Sequence, residues 1–215
     1  MPSILIVNEI FHSIQGESTH AGRRCTFIRL AYCNLRCSYC DTADAFEEGT
    51  EMSINEIVCV VDGYDCKLVE ITGGEPLLQS NTNVLIAELC KRRFEVLLET
   101  GGSLDISKVD DRVKRIVDFK CPSSNMADKN LWTNVEYLKN TDEVKFVIGN
   151  REDYEWSKNM IAKHQINRRC VVLMSPVYKM IDSRKLVEWI IEDKLDVRFQ
   201  LQIQKYIWDP EARGV

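Results

Sequence analysis

The chain has 215 residues, of which 45% are hydrophobic and 28% charged, with a formal net charge of −5 and a pI near 5.4. This is the composition of an ordinary globular protein, and the acidic balance argues against a nucleic-acid-binding surface, which is normally basic. No apolar run approaches the roughly 20 residues of a membrane span, and the start, MPSILIVNEIF, has no signal-peptide pattern. We therefore expect a cytoplasmic protein with no nucleic-acid or membrane partner.

Short runs rich in β-branched and aromatic residues alternate along the chain with runs of helical periodicity. The predicted strands are 4–11, 25–30, 68–72, 94–100, 115–120, 142–148, 168–176 and 197–203. The predicted helices are 53–64, 81–93, 131–139, 151–165 and 182–195. Ser53 and Glu56 form a capping-box pattern at the start of the first helix, and Asn150 is placed to cap the fourth.

Strands that alternate with helices indicate parallel βαβ units with right-handed crossovers. Strand segments such as VLLE (96–99) and VVLM (171–174) place apolar residues on both faces, as a sheet covered on both sides requires. About six such units are too few for a closed eight-fold barrel. The pattern predicts an α/β fold with a partial, open barrel of parallel strands, in a single domain over residues 1–215.

Polar and glycine-rich residues gather directly after several predicted strands, where parallel α/β folds bind their ligands. The segments concerned are 72–76 (TGGEP), 99–102 (ETGG), 120–124 (KCPSS) and 175–176 (SP). One glycine pair alone indicates no more than a tight turn. Four segments at one edge of the sheet predict a functional site there.

Three cysteines, Cys33, Cys37 and Cys40, follow the predicted strand 25–30 with the spacing Cys-x-x-x-Cys-x-x-Cys. The chain has nine cysteines, an odd number, which favours reduced thiols over a disulfide framework. Iron–sulfur clusters are usually held by four thiolates, so three close cysteines would leave one iron with an open position. A zinc site is the alternative and would have to recruit Cys25 or His20 as its fourth ligand from a distance.

This spacing resembles the signature of radical S-adenosylmethionine (SAM) enzymes, in which three cysteines hold a 4Fe–4S cluster and SAM chelates the fourth iron. Tyr39, just before the third cysteine, matches the position near the adenine, and ITGGEP (71–76) matches the segment that holds the SAM amino group. The resemblance implies a partial radical SAM (β/α)6-type barrel. It also implies that one electron splits SAM into a radical that takes hydrogen from the substrate.

Longer segments are similar to the 7-carboxy-7-deazaguanine synthase family: FHSIQGESTHAGRRCTFIRLAYCNLRCSYCDT, LETGG, DFKCPSS, DEVKFVI and QKYIWDPEARGV. This family converts 6-carboxy-5,6,7,8-tetrahydropterin to 7-carboxy-7-deazaguanine with loss of ammonia, on the route to queuosine. The resemblance implies a magnesium-dependent carbon–nitrogen lyase, a homodimer, and an electron donor such as flavodoxin or ferredoxin. A small radical SAM activase that installs a glycyl radical on a partner protein, and a zinc-dependent binding module without catalysis, are the competing functions.

The resemblance also implies roles for particular residues. Cys33, Cys37 and Cys40 would hold the cluster, and Thr42 the Mg²⁺ ion. The SAM contacts would be Tyr39, Gly74, Glu75, Lys120, Ser123 and Ser175. The substrate contacts would be Ile14, Gln15, Gly16, Arg29, Thr72 and Val215.

Some of these residues also have plain structural interpretations. Arg29 could form an ion pair, Thr42 could cap the next element, and Glu17 could be a solvated loop acid. Relatives often have a histidine where this chain has Gln204. A glutamine side chain can donate and accept hydrogen bonds, but unlike histidine it does not titrate near neutral pH.

Overall fold

A computed structural model describes residues 3–215, so the first two residues of the predicted domain lie outside the described part. Its strands are β1 (Ile4–Ile14), β2 (Arg24–Leu30), β3 (Thr50–Ser53), β4 (Leu68–Gly73), β5 (Glu95–Thr100), β6 (Lys114–Asp118), β7 (Glu143–Ile148), β8 (Val171–Pro176) and β9 (Arg198–Phe199). Its α-helices are α1 (Ile54–Gly63), α2 (Thr82–Lys91), α3 (Arg151–His164), α4 (Ser183–Glu192) and α5 (Gln204–Ile207). None of the helices within residues 3–215 is long and apolar enough to cross a membrane.

The strands form one sheet in the order β3-β1-β2-β4-β5-β6-β7-β8-β9. Every pair from β2 to β9 is parallel, and the sheet ends at β3 and β9 instead of closing on itself, which confirms the predicted open α/β architecture. The strand direction changes at the end of the sheet that contains β1, where β1 pairs antiparallel with both β2 and β3. The loop between β1 and β2 is too short for a crossover, so those two strands run in opposite directions.

Side-chain caps begin two of the helices where the sequence predicted them. The Ser53 hydroxyl accepts the Glu56 backbone N–H at 3.3 Å, and the Glu56 carboxylate accepts the Ser53 N–H at 2.8 Å. The Asn150 side chain accepts the Asp153 N–H at 2.9 Å at the start of α3. Each cap satisfies a backbone donor that the first helical turn leaves without a partner.

Two predicted elements are wrong in extent. Residues 131–139 form only a short 3₁₀ helix, Trp132–Tyr137, and the predicted strand 197–203 shrinks to the two residues of β9. The chain leaves the sheet after Gln200, whose N–H still bonds to the Met174 carbonyl at 2.9 Å. It then turns so that the Ile203 N–H bonds to the Gly16 carbonyl at 3.2 Å. Contacts with the β1–β2 loop therefore replace the predicted strand pairing.

The two faces of the sheet have different surroundings. Outward residues of β4, β5 and β6 pack under the helices in the main core: Val69, Ile71, Val96, Leu98 and Val117. The inward residues near the amino ends of the same strands form a second apolar cluster with β1 and β2: Leu68, Leu97, Ile116, Phe11, Cys25 and Phe27. Two residues further along each strand, the inward positions are Glu70, Glu99 and Asp118. The strand alternation thus places a charged layer above an apolar one.

Candidate active site

A cavity of about 650 Å³ opens at the carboxyl ends of the parallel strands, above this charged layer. Its wall is built by the β1–β2 loop, the cysteine loop after β2, the ends of β4 to β7 and the last residues of the chain. Most residues predicted for the site lie in this wall: Ile14, Gln15, Gly16, Arg29, Cys33, Cys37, Tyr39, Cys40, Thr42, Thr72, Gly74, Lys120 and Val215. The structure thus brings together segments that are far apart in sequence.

Three predicted residues lie outside the cavity wall. The buried Glu75 carboxylate accepts the Leu77 N–H at 3.0 Å, the Thr100 hydroxyl at 2.9 Å and the Gly101 N–H at 2.8 Å, so it braces two rim loops. The Ser123 hydroxyl donates to Asp153. Ser175 is fully buried, and its hydroxyl has no hydrogen-bond partner among the described residues.

The cysteine loop is fastened to the rim by the backbone. The Ser38 N–H donates to the Ser124 carbonyl at 3.0 Å, and the Glu75 N–H donates to the Tyr32 carbonyl at 2.7 Å. Gly74 passes so close to this loop that a Cβ atom would lie 2.6 Å from the Tyr32 carbonyl carbon. Only glycine fits there without moving backbone, which explains the second glycine of the TGGE segment.

The donor set of the loop suits a cluster. Cys33, Cys37 and Cys40 are free thiols, partly buried, and all face the one cavity. Among residues 3–215, no three His, Cys, Asp or Glu side chains converge closely enough to hold a single metal ion. A cluster instead spreads its thiolates over separate irons. Burial raises the pKa of Cys33 and of Cys37, so charge from iron would be needed to stabilise their thiolates.

Lys145 stands at the centre of the charged layer. Its ammonium, on a side chain only 5% exposed, lies 2.9 Å from Glu17 and 3.7 Å from Asp118, and it also contacts Glu99. Burial alone would lower the pKa of Lys145, but Glu17 and Glu99 hold it well above its usual value. Lys145 is therefore charged, and it partly neutralises the surrounding carboxylates.

A second lysine joins this layer to the cysteine loop. The Lys120 ammonium lies 2.8 Å from Asp118, and although burial opposes its charge, Asp118 and the Cys37 sulfur raise its pKa above the usual range. The other oxygen of Asp118, Oδ1, is buried and has no hydrogen-bond partner in the described chain. Oδ2 of Asp118 thus contacts both lysines, while Oδ1 is a buried acceptor without a partner among the described residues.

Glu70 is the most deeply buried acid of the cavity wall, 3% exposed. The Gln15 amide donates to its carboxylate. Burial raises the pKa of Glu70 well above its usual value, and the negative charges of Glu99 and Glu17 raise it further. Burial also raises the pKa of Glu99. The layer therefore favours a ligand that brings N–H donors or positive charge.

The structure bears on two of the structural alternatives, an ion pair at Arg29 and a helix cap at Thr42. Arg29 forms the ion pair that was considered, with its Nε 2.8 Å from Glu9, and it also faces the cavity. Thr42 precedes a 3₁₀ turn, Ala43–Phe46, without capping it through its side chain, and its hydroxyl lies 3.9 Å from the Cys40 sulfur.

The C-terminal segment closes another side of the cavity. Gln202 and Gln204 donate to one oxygen of the Glu17 carboxylate at 2.9 and 3.1 Å, so Glu17 is not the solvated loop acid that was considered. Lys205 lies 2.7 Å from the half-exposed Asp41, and although partial desolvation opposes this, it holds the pKa of Asp41 below its usual value. Val215 lies in the cavity wall.

Sequence reasoning assigned no role to several wall residues, although Glu99 lies in the ETGG segment: Glu70, Glu99, Asp118, Lys145 and Gln202. The first four share a signal that the sequence does carry, namely a charged residue within or at the end of an apolar strand. Burying such a residue is costly unless it is paired, so its presence indicates a polar interior.

The open parallel sheet and the three-cysteine loop define a radical SAM protein, and residues 27–183 match the Radical SAM superfamily. The chain is 49% identical to a 7-carboxy-7-deazaguanine synthase of Chlorobaculum tepidum over 98% of this chain and 97% of the relative. It is 40% identical to the synthase of that name from Koribacter versatilis, covering 97% and 99% of the two chains. The chain belongs to the 7-carboxy-7-deazaguanine synthase family.

A solved structure supports the fold independently. The crystal structure of QueE from Escherichia coli superposes with a TM-score of 0.77, covering 92% of this chain and 93% of that one. At 23% identity this likeness speaks for the fold alone.

Proposed function

We propose that the protein converts 6-carboxy-5,6,7,8-tetrahydropterin to 7-carboxy-7-deazaguanine and ammonia. The names of its relatives give the product, and the substrate is the one that the family resemblance implies. The reaction is a ring contraction without net oxidation, since the product and ammonia together contain all the atoms of the substrate. Family membership does not favour the competing glycyl-radical activase, which would act on a protein partner.

Cys33, Cys37 and Cys40 would hold a 4Fe–4S cluster, with one iron left for SAM. The bound cluster and SAM supply the electron and the radical that removes hydrogen from the substrate. Gly74, Tyr39 and Lys120 support this proposal, because they line the cavity next to the cysteine loop. Glu75 would act on SAM only indirectly, by bracing the rim loops.

The pterin would bind over the charged layer. Its amino-pyrimidine edge carries several N–H donors, which match the carboxylates of Glu17, Glu70 and Glu99. The substrate carboxylate requires cations in turn. Arg29 faces the cavity and is placed for this, since a guanidinium pairs well with a carboxylate.

Mg²⁺ would use the Thr42 hydroxyl and the substrate carboxylate, with waters completing its coordination. Thr42 supports this by facing the cavity without a capping hydrogen bond of its own. We further propose a cytoplasmic homodimer that receives its electron from a flavodoxin or a ferredoxin.

One observation carries the proposal: a single cavity joins the three cysteines to a buried layer rich in carboxylates. The test is anaerobic incubation of the reconstituted protein with reductant, SAM, Mg²⁺ and 6-carboxytetrahydropterin, followed by mass spectrometry. We expect 7-carboxy-7-deazaguanine in the full mixture and none without SAM. SAM cleavage without any pterin turnover would contradict the proposed substrate. A colourless protein with one stoichiometric zinc would contradict the cluster.

A further inference from the structure

The loop between β1 and β2, residues 15–23, closes the amino end of the barrel, opposite the cavity mouth. Its residues contact the first residues of three parallel strands. His20 and Arg23 bind Glu95 at the start of β5, with distances of 2.9 and 2.6 Å. Thr19 binds Lys114 and Glu143, which begin β6 and β7. The loop is therefore fixed from below while Gln15, Gly16 and Glu17 face the cavity above.

Thr19 contacts two charged side chains at once, although it lies outside the cavity wall. Its backbone N–H lies 3.1 Å from the Glu143 carboxylate, and its hydroxyl donates to the same group. The Lys114 ammonium donates to the Thr19 hydroxyl at 2.6 Å and lies 2.5 Å from Glu143. Glu143 is fully buried, so these contacts form in a poorly solvated environment where they are strong.

The contacts of Thr19 and Glu17 are in register with one strand. Glu17 binds Lys145, and Thr19 binds Glu143. The two loop residues are separated by one residue, as are the two strand residues, so the spacing of the loop contacts matches the spacing of side chains along one face of β7. Ser18 between them has φ 62°, the left-handed conformation that turns the chain from one contact to the other. A displaced Thr19 would therefore displace Glu17 as well.

We propose that Thr19 is a positioning residue, which through Glu143 and Lys114 holds Glu17 and Gln15 in the orientation that binds the pterin. The identity of the ligand in this inference rests on the proposed function, whereas the anchoring of the loop by Thr19 does not. SAM would be unaffected, because the residues proposed to hold it lie on the rim loops.

The test compares the reconstituted wild-type protein with Thr19→Val, which keeps the shape and the backbone N–H but removes the hydroxyl. Binding of 7-carboxy-7-deazaguanine and of SAM is measured separately by anaerobic calorimetry. We expect binding of the deazaguanine to weaken about tenfold, as loss of hydrogen bonds to charged groups implies, with SAM binding unchanged. Thr19→Ser should retain wild-type affinity. Thr50→Val, at an exposed threonine of β3, is the matched control and should change neither affinity.

Hydrogen–deuterium exchange of the segment 15–23 gives a readout that needs no ligand. Faster exchange there in Thr19→Val, with unchanged exchange in β4 and β5, supports the anchor even if the wild-type protein does not bind the deazaguanine. Failure of the wild-type protein to bind the deazaguanine would count against the proposed function instead. Unchanged exchange, or equal losses for both ligands, would overturn the inference. If Thr19→Val does not fold, Glu143→Gln should give the same pattern more weakly, because its amide oxygen still accepts the Thr19 N–H.

Discussion

Replacing Lys145 with methionine should destabilise the protein strongly, and by an amount that depends on pH. The substitution keeps the length of a buried side chain but leaves Glu17, Glu99 and Asp118 without their shared cation. Removing one partner of a buried ion pair typically costs about 3–5 kcal/mol. This is a large part of the roughly 5–15 kcal/mol by which domains are stable, so we expect a folded but marginal variant.

The sign of the pH dependence follows from Glu99. Burial already raises the pKa of Glu99, and Lys145 is the strongest influence that lowers it, so the variant must raise that pKa further. A carboxyl with a raised folded-state pKa stabilises the fold below its unfolded pKa, and that stability is lost as pH rises toward the folded value. The variant should therefore lose stability relative to wild type as pH rises, by at most about 1.4 kcal/mol per pH unit.

Urea unfolding of the cluster-free proteins at pH 5, 6 and 7.5 measures this difference. Lys185→Met is the control, because Lys185 is exposed on α4 and the change should stay within about 0.5 kcal/mol. Adding Glu99→Gln to Lys145→Met should recover part of the loss, since it removes one uncompensated charge. A loss below about 1 kcal/mol that does not vary with pH would refute the coupling of these charges, because the buried pairs could then not be carrying stability.

Three further predictions concern the rim of the cavity. Cys37→Ala should abolish both the absorbance of the reconstituted cluster and SAM cleavage; retention of full activity would contradict the ligand assignment. Thr42→Ala should weaken the dependence of turnover on Mg²⁺ concentration while leaving the cluster spectrum intact, and an unaltered magnesium titration would argue against its role. Gly16→Ala should weaken pterin binding, because the new Cβ would lie 2.6 Å from Cδ of Gln204 and push that side chain away from Glu17. Adding Gln204→Ala to this variant should relieve the clash. Equal binding by the wild type, the single variant and the double variant would contradict this packing.

The parallel strands, the crossover helices and the rim position of the site followed from local patterns. The capping box at Ser53 and the glycines of the TGGE segment are examples, because each depends on backbone geometry over a few residues. The antiparallel direction of β1 and the shortened strand at β9 did not follow, since both depend on contacts with distant segments.

The charged layer was the main omission. Glu70 and Glu99 are ordinary residues of their strands when considered singly, and only the folded sheet brings them to the same cavity as Asp118 and Lys145. The cysteine triplet could be predicted because its three residues lie within one loop. A set of single residues on four strands has no such spacing in the sequence.

The contacts of Glu17 bear on the order in which the molecule assembles. Its carboxylate bonds to partners that are 128, 185 and 187 residues away along the chain. Closing loops of that length is entropically slow, so we expect such pairings to form late in folding. The cysteine loop, residues 33–40, needs the strands up to β7 but not the last residues, since its Ser38 N–H bonds to the Ser124 carbonyl and its Tyr39 hydroxyl to the Val147 carbonyl. Iron could thus be inserted while the pterin pocket is still unformed, and ring contraction would begin only once the final residues had docked.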